Sequence, residues 1–209
     1  MQRSVLLMIL SGLVLFIACS NPAADKSKAV TGEEAQVASP APAGGQKYQI
    51  TPQNSKIEFI GAKVTGQHHG SFGGFTGQIS YAGAPENSQV NIAIKTDSIT
   101  TDTPDLTKHL KTADFFDVAK YPEASFVSTA IKPGGEKGAS HTVTGNLTLH
   151  GVTKAITFPA TINVTPDLAS VDASFAINRK DFGINYAGAA DNLIRDDVVM
   201  TLQIRAAKG

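Results

Sequence analysis

The stretch Thr142-Val143-Thr144-Gly145-Asn146-Leu147-Thr148-Leu149-His150 decides the fold. Val143, Leu147 and Leu149 fall on one side while Thr142, Thr144, Asn146, Thr148 and His150 fall on the other. That period of two marks a strand with one dry and one wet face. The same alternation runs through Val90, Ile92 and Ile94, and through Ile156, Phe158, Ala160, Ile162 and Val164. It returns in Val171, Ala173, Phe175 and Ile177, and again in Val198, Met200, Leu202 and Ile204. Turn formers separate these runs at Ala82-Gly83-Ala84-Pro85-Glu86-Asn87, Lys132-Pro133-Gly134-Gly135-Glu136, His150-Gly151 and Thr165-Pro166-Asp167. Half-buried strands spaced this way form an antiparallel meander. Counting from Tyr48 gives roughly eight strands, the number at which a closed barrel is either filled by its side chains or holds one small ligand.

One segment is helical. Thr103 suits an N-cap, Pro104 the first helical position and Asp105 the first turn, which predicts a short helix running to about Lys111. The run from His109 to Phe126 then has the period of neither helix nor strand. Phe115 and Phe116 need apolar surroundings although Asp114 and Asp117 flank them, as in a loop that clamps an apolar mouth. On this reading the segment Thr101 to Tyr121 is a gate over one end of the barrel.

The chain has no Trp, and Ala93, Gly145, Ala160 and Ala173 are small where a filled barrel wants bulk. Glycines crowd Gly70-Ser71-Phe72-Gly73-Gly74-Phe75-Thr76-Gly77. In a strand they mark a bulge, a corner or the close approach of a ligand. These small residues favour a lumen that holds something. On that basis Leu at Ala93 or Ala160 should block binding at little cost to stability.

Arg3, the apolar run Val5 to Ile17 and Ala18 precede Cys19, the only cysteine. The run is short for a membrane span and reads as a secretory signal over 1–18. A small residue directly before a lone Cys resembles a lipoprotein signal, in which Cys19 becomes an acylated N-terminus; Phe16 departs from it, since that pattern usually has Leu three before the Cys, and the alternative is an ordinary signal peptide. A single cysteine forms no internal disulfide, which favours acylation as the reason for keeping it in an exported protein. Residues 19–46 are rich in Ala, Pro, Ser and Gly without an aromatic, so they read as a disordered tether. The folded domain is then 47–209.

Lys and Arg total 18, Asp and Glu total 18, and no basic cluster stands out, which argues against nucleic acid as a partner. The pair His68-His69 invites a metal, but strand neighbours point to opposite faces and the domain has no cysteine; no metal site is expected. No nucleophile elbow, phosphate loop or dinucleotide motif is present, so no catalytic residue is assigned and the chain is not expected to be an enzyme.

The glycine-rich segment with Phe72 and Phe75, the Asp-Phe-Phe-Asp and Lys-Tyr-Pro of the His109 to Phe126 run, Leu147 to Lys154, and Arg179-Lys180-Asp181-Phe182-Gly183-Ile184 occur in an order that resembles YceI-like proteins. Ala155 departs from it, since the family often has Pro there. The resemblance implies an all-β, antiparallel, eight-stranded lipocalin-like barrel with one or two short helices in a loop. It also implies an elongated apolar cavity for a polyisoprenoid or the tail of an isoprenoid quinone. The ligand would be held by apolar lining drawn from Phe59, Phe72, Phe75, Phe115, Phe116 and Phe126, and from Leu147, Phe158, Phe175, Phe182 and Met200. His109 and Arg179 are candidates for the headgroup, the alternative for Arg179 being an ion pair with Asp196 or Asp197 that fixes the barrel end. The implied partners are an isoprenoid lipid and, through Cys19, a membrane; no cofactor is expected, and the oligomeric state stays open, a homodimer included. Ser20 after the acylated position suits the outer membrane, at the periplasmic side or the cell surface. The competing reading is a filled barrel that acts as a surface interaction protein without a lipid.

Overall fold

The computed structural model describes residues 21–37, 45–190 and 192–209; the predicted signal peptide and Cys19 lie outside them. Two short strands come first, β1 (Ser27–Lys28) and β2 (Val30–Gly32). Then follow β3 (Gln46–Ile50), β4 (Lys56–Lys63), β5 (Gly66–Phe72), β6 (Phe75–Tyr81), β7 (Gln89–Lys95) and β8 (Ile99–Thr101). The only α-helix among the described residues, α1 (Pro104–Leu110), comes next. Beyond it lie β9 (Glu123–Pro133), β10 (His141–Leu149), β11 (Val152–Val164), β12 (Leu168–Asn178), a small hairpin of β13 (Gly188–Ala189) and β14 (Asn192–Leu193), and β15 (Asp197–Lys208).

Three of the wall strands are bent into halves. β4 pairs with β5 while β3 pairs with β6, and β5 pairs with β8 while β6 pairs with β7. With those halves joined, the chain is a closed antiparallel barrel of 8 strands. β15 closes it, pairing with β12 along one edge and with β3 and β4 along the other. Thr103 is extended at the start of α1 but makes no side-chain cap; its hydroxyl donates to Asp102 Oδ1 instead.

The alternation read from the sequence sets the wall. Val90, Ile92 and Ile94, Val143 and Leu147, Ile156, Phe158 and Ile162, and Leu202 and Ile204 all point into the lumen. Ala93 does not: it alternates with Ile92 and Ile94, and its side chain stands on the outer surface beside Asn91 and Val127. Ala160 and Ala173 do face inward, but they are buried in packed wall and line neither chamber of the lumen.

Glycine is required at two places for different reasons. A Cβ at Gly145 would stand 2.3 Å from the ring of Phe126, so the glycine makes room for that ring on the neighbouring strand. At the β10–β11 turn, His150 (φ 51) and Gly151 (φ 74) both have positive φ, the pairing a two-residue hairpin loop of primed type requires.

One end of the barrel is shut by Tyr48, whose hydroxyl donates to the Thr165 carbonyl at 2.7 Å across the turn between β11 and β12. Burial pushes the Tyr48 phenol above the ordinary 10.0, and Tyr81 and Asp167 push the same way. The raised folded value means that this stability is fully present below about pH 10 and is lost as pH rises through the folded pKa. Tyr48→Phe should therefore lower stability by about 1 kcal/mol at neutral pH and flatten its fall in alkali, which urea unfolding at two pH values will read.

Residues 21–37 depart from the predicted disordered tether. They form a strap along the barrel wall: β1 runs parallel to β12 at Phe175 and Ala176, and β2 runs antiparallel to β11 at Ala155 to Thr157. Ala23 covers the outward-facing Ala176 and Val199. Asn146 both donates to and accepts from the backbone of Ala35, and Lys154 pairs with Glu33. Low aromatic content misleads here because the docking uses backbone hydrogen bonds and small side chains, which hydrophobic composition does not register.

Candidate functional site

The lumen holds two adjoining cavities whose walls expose only apolar atoms. The deep chamber, about 110 Å³, lies toward Tyr48, and Phe126, Phe158 and Phe175 stand in its wall. The mouth chamber, about 90 Å³, lies toward α1 and is lined by Phe59, Phe72 and Phe116 among others. Ile57, Ile94, Leu147, Ile177 and Met200 line both and form the waist between them. Inside the deep chamber Phe158 and Phe175 stack with ring centroids 4.1 Å apart.

Phe75, Phe115 and Phe182 are buried yet line neither chamber. Phe115 packs in an aromatic cluster with His109 and Tyr186, at centroid distances of 5.0 and 5.2 Å. Its neighbour Phe116 turns the other way and meets Phe72 edge-on at 5.8 Å, so the adjacent pair divides between cluster and lumen.

The residues that follow α1 form a hydrogen-bonded cover over the mouth. Phe116 N donates to Leu110 O, Asp117 N to Thr112 O and Val118 N to Lys111 O. Thr96, almost fully buried, ties the far end down with its amide to Pro122 O and its hydroxyl to Tyr121 O. Tyr121 in turn lies over Gly151 and against His150, at 4.6 Å between rings.

Arg179 is 5% exposed at the rim of the mouth chamber. Its guanidinium donates to the carbonyls of Ile184, Arg195 and Ile194 and to Asp196, so its aliphatic stem is what meets the cavity. Burial lowers its pKa from the ordinary guanidinium value, with Asp196 pulling back the other way. His109 lines neither chamber and bonds Asp114 at 2.7 Å.

His68 and His69 point apart: His68 Nδ1 meets Asp102 Oδ1, while the His69 ring lies beside Gln67. The His69 amide and then the His68 ring hold the Asp102 carboxyl below its usual range. Among the described residues no group of three or more His, Cys, Asp and Glu side chains is placed to hold a metal ion. The site offers burial of an apolar molecule.

A family model of the YceI-like domain matches residues 48–206. The chain belongs to the YceI-like family. Among its relatives, a UPF0312 protein of Pseudomonas putida strain W619 is 44% identical over 137 residues, which are 62% of this chain and 70% of the relative. A UPF0312 protein of Pseudomonas fluorescens strain SBW25 is 40% identical over the same length. In fold, this YceI-like chain is similar to BcnA of Burkholderia cenocepacia, with a TM-score of 0.67 at 23% identity over 76% of this chain and 99% of that one. It is also similar to a polyisoprenoid binding domain from Saccharophagus degradans implicated in plant cell wall breakdown, with a TM-score of 0.62 at 18% identity over 78% and 98% of the two chains.

The YceI-like lumen is mostly aliphatic, and an aromatic-weighted reading misses that. Ile57, Ile79, Ile131, Val143 and Ile204 build as much of the wall as the phenylalanines do. The signal was present in the alternating faces, where every inward position of a barrel strand is a lining position unless it is packed shut.

Proposed function

We propose that this protein holds an isoprenoid chain, that of a polyisoprenoid or an isoprenoid quinone, in the barrel lumen as a carrier or store. The observation that carries this reading is a lumen with no polar atom on its wall, inside a YceI-like barrel. Burying a methylene contributes about 0.8 kcal/mol, so one five-carbon unit contributes roughly 3 kcal/mol and a few units offset the cost of association. The protein is exported and held at a membrane through acylated Cys19, with Ser20 favouring the outer membrane. On this reading it binds its ligand and does not turn it over.

Native mass spectrometry and organic extraction of the full chain, purified from a bacterial host with its membranes, should yield a co-purifying species with an isoprenoid mass ladder. A stable, empty protein that also refuses added quinone and polyprenyl phosphate would instead support the surface interaction reading. Phe116→Ala should speed the loss of any bound lipid during extraction, because it removes the ring that caps the mouth chamber beside Phe72.

A further inference from the structure

The barrel wall is incomplete along one seam. β11 and β12 pair only from Thr161 to Val164 against Ala169 to Asp172. Pro159 explains where the ladder stops. Thr165 donates its amide toward β12, at Leu168, whereas the Ile162 amide points the other way, to Ser140 Oγ. Odd-numbered amides of β11 thus face β12, and at 159 the amide is missing. Below that point β11 and β12 take separate partners: β2 on β11, β1 on β12, with Ala29 N donating to Ala176 O.

Directly inside this seam lie Ile156, Phe158, Phe175 and Ile177, all lining the deep chamber. The strap is therefore the only backbone bridging the two strands over that length, among the described residues. Its hold is modest. The strap spans two short strands, Val30 is 70% exposed, and Ser27 Oγ is buried without a hydrogen-bond partner. The cover over the mouth, by contrast, is laced by the backbone bonds described above and anchored on buried Thr96.

Size points the same way. Chambers of about 110 and 90 Å³ are each of the order of the ~150 Å³ apolar cavity that accommodates benzene, so each takes roughly one five-carbon unit. A longer chain needs a wall that parts. The chain from Cys19 to Ala23, seated on Ala176 and Val199, spans at most about 14 Å when extended, so an acylated Cys19 would hold this seam close to a bilayer.

We propose that the seam between β11 and β12 is a lateral portal for an apolar chain, closed by residues 27–32 of the strap. Displacement of the strap opens the deep chamber sideways toward the membrane, and its return reseals the wall. The inference rests on the lumen being the ligand site.

Val30 and Thr157 are cross-strand partners on the outer face, so Val30→Cys with Thr157→Cys places a disulfide across the strap without touching the lumen. In the full chain carrying Cys19→Ser, uptake of the apolar dye N-phenyl-1-naphthylamine is followed by stopped flow with and without reductant. The oxidised protein should fill at least tenfold more slowly and reach the same final amplitude, and reductant should restore the rate. Equal rates in the two forms, or no uptake by either, overturn the portal, while the co-extraction experiment judges the isoprenoid reading separately. Hydrogen exchange of the unmodified chain gives an independent check. The amides of Ala29 and Thr157 should exchange faster than those of Phe116 and Thr96, and the reverse order overturns the proposal.

Discussion

Leu147→Trp is expected to weaken lipid binding by about a hundredfold while shifting the melting temperature by only a few degrees. Leu147 belongs to the waist and lines both chambers, so a larger ring enters space that is already empty. Overpacking strain of ~1 to 3 kcal/mol arises when atoms are forced into filled volume, and that condition is absent at this site. A hundredfold loss corresponds to about 2.7 kcal/mol, close to the contribution of one displaced five-carbon unit. Titration with a short-tailed quinone, paired with a thermal melt, reads both halves of the prediction. Unchanged affinity would mean that the ligand does not thread the waist. Ala160→Leu, which the sequence alone recommends for this purpose, is a poorer choice because Ala160 is 1% exposed in packed wall and should lose stability instead. Ala93→Leu would act on the outer surface.

Arg179→Met should cause a large loss of stability, about 3 to 5 kcal/mol. The substitution keeps the aliphatic stem at the chamber rim and removes donors that satisfy Ile184 O, Arg195 O and Asp196. The buried Ile184 carbonyl left without a donor costs more than its bond contributes, while Arg195 O and Asp196 are partly exposed and water relieves some of their share. At about 2 to 4 °C per kcal/mol for a domain of this size, the melting temperature should fall by roughly 6 to 20 °C. Arg179→Lys should recover little, since an ammonium group cannot present the planar fork that reaches several carbonyls at once. If Arg179→Met melts like the parent but binds lipid more weakly, Arg179 acts on the ligand and not on the fold.

The mouth shows how far linear patterns reach. Phe115 and Phe116 share every local property, yet one joins His109 and Tyr186 and the other lines the cavity. No periodicity separates them, because Asp117 has a positive φ of 44 and the loop is held by bonds to Leu110, Thr112 and Lys111. Phe182 illustrates the same limit. It sits in a motif carried by the family resemblance, but the turn Arg179–Phe182 seats it in packed core.

The strap is the larger surprise. Residues 27–32 are Ser, Lys, Ala, Val, Thr and Gly, with no aromatic and one exposed Val30, a composition that cannot drive burial of its own. It docks because Pro159 leaves backbone acceptors and donors on β11 and β12 without each other, and any extended segment close by can complete them. A short distance in sequence from Cys19 turns that local deficiency into a wall element beside the predicted anchor.

By itself, the sequence determined the strand faces, the turns, the barrel and the family, since a period of two and the turn residues are local consequences of backbone geometry. It also determined that the lumen is apolar, because inward positions were already hydrophobic. Only the tertiary structure decided which inward residues border empty space and which are packed, what Arg179 bonds, and where the wall fails to close. Those properties depend on distances between strands far apart in the chain, and one missing amide at Pro159 acts only once β12 lies beside it.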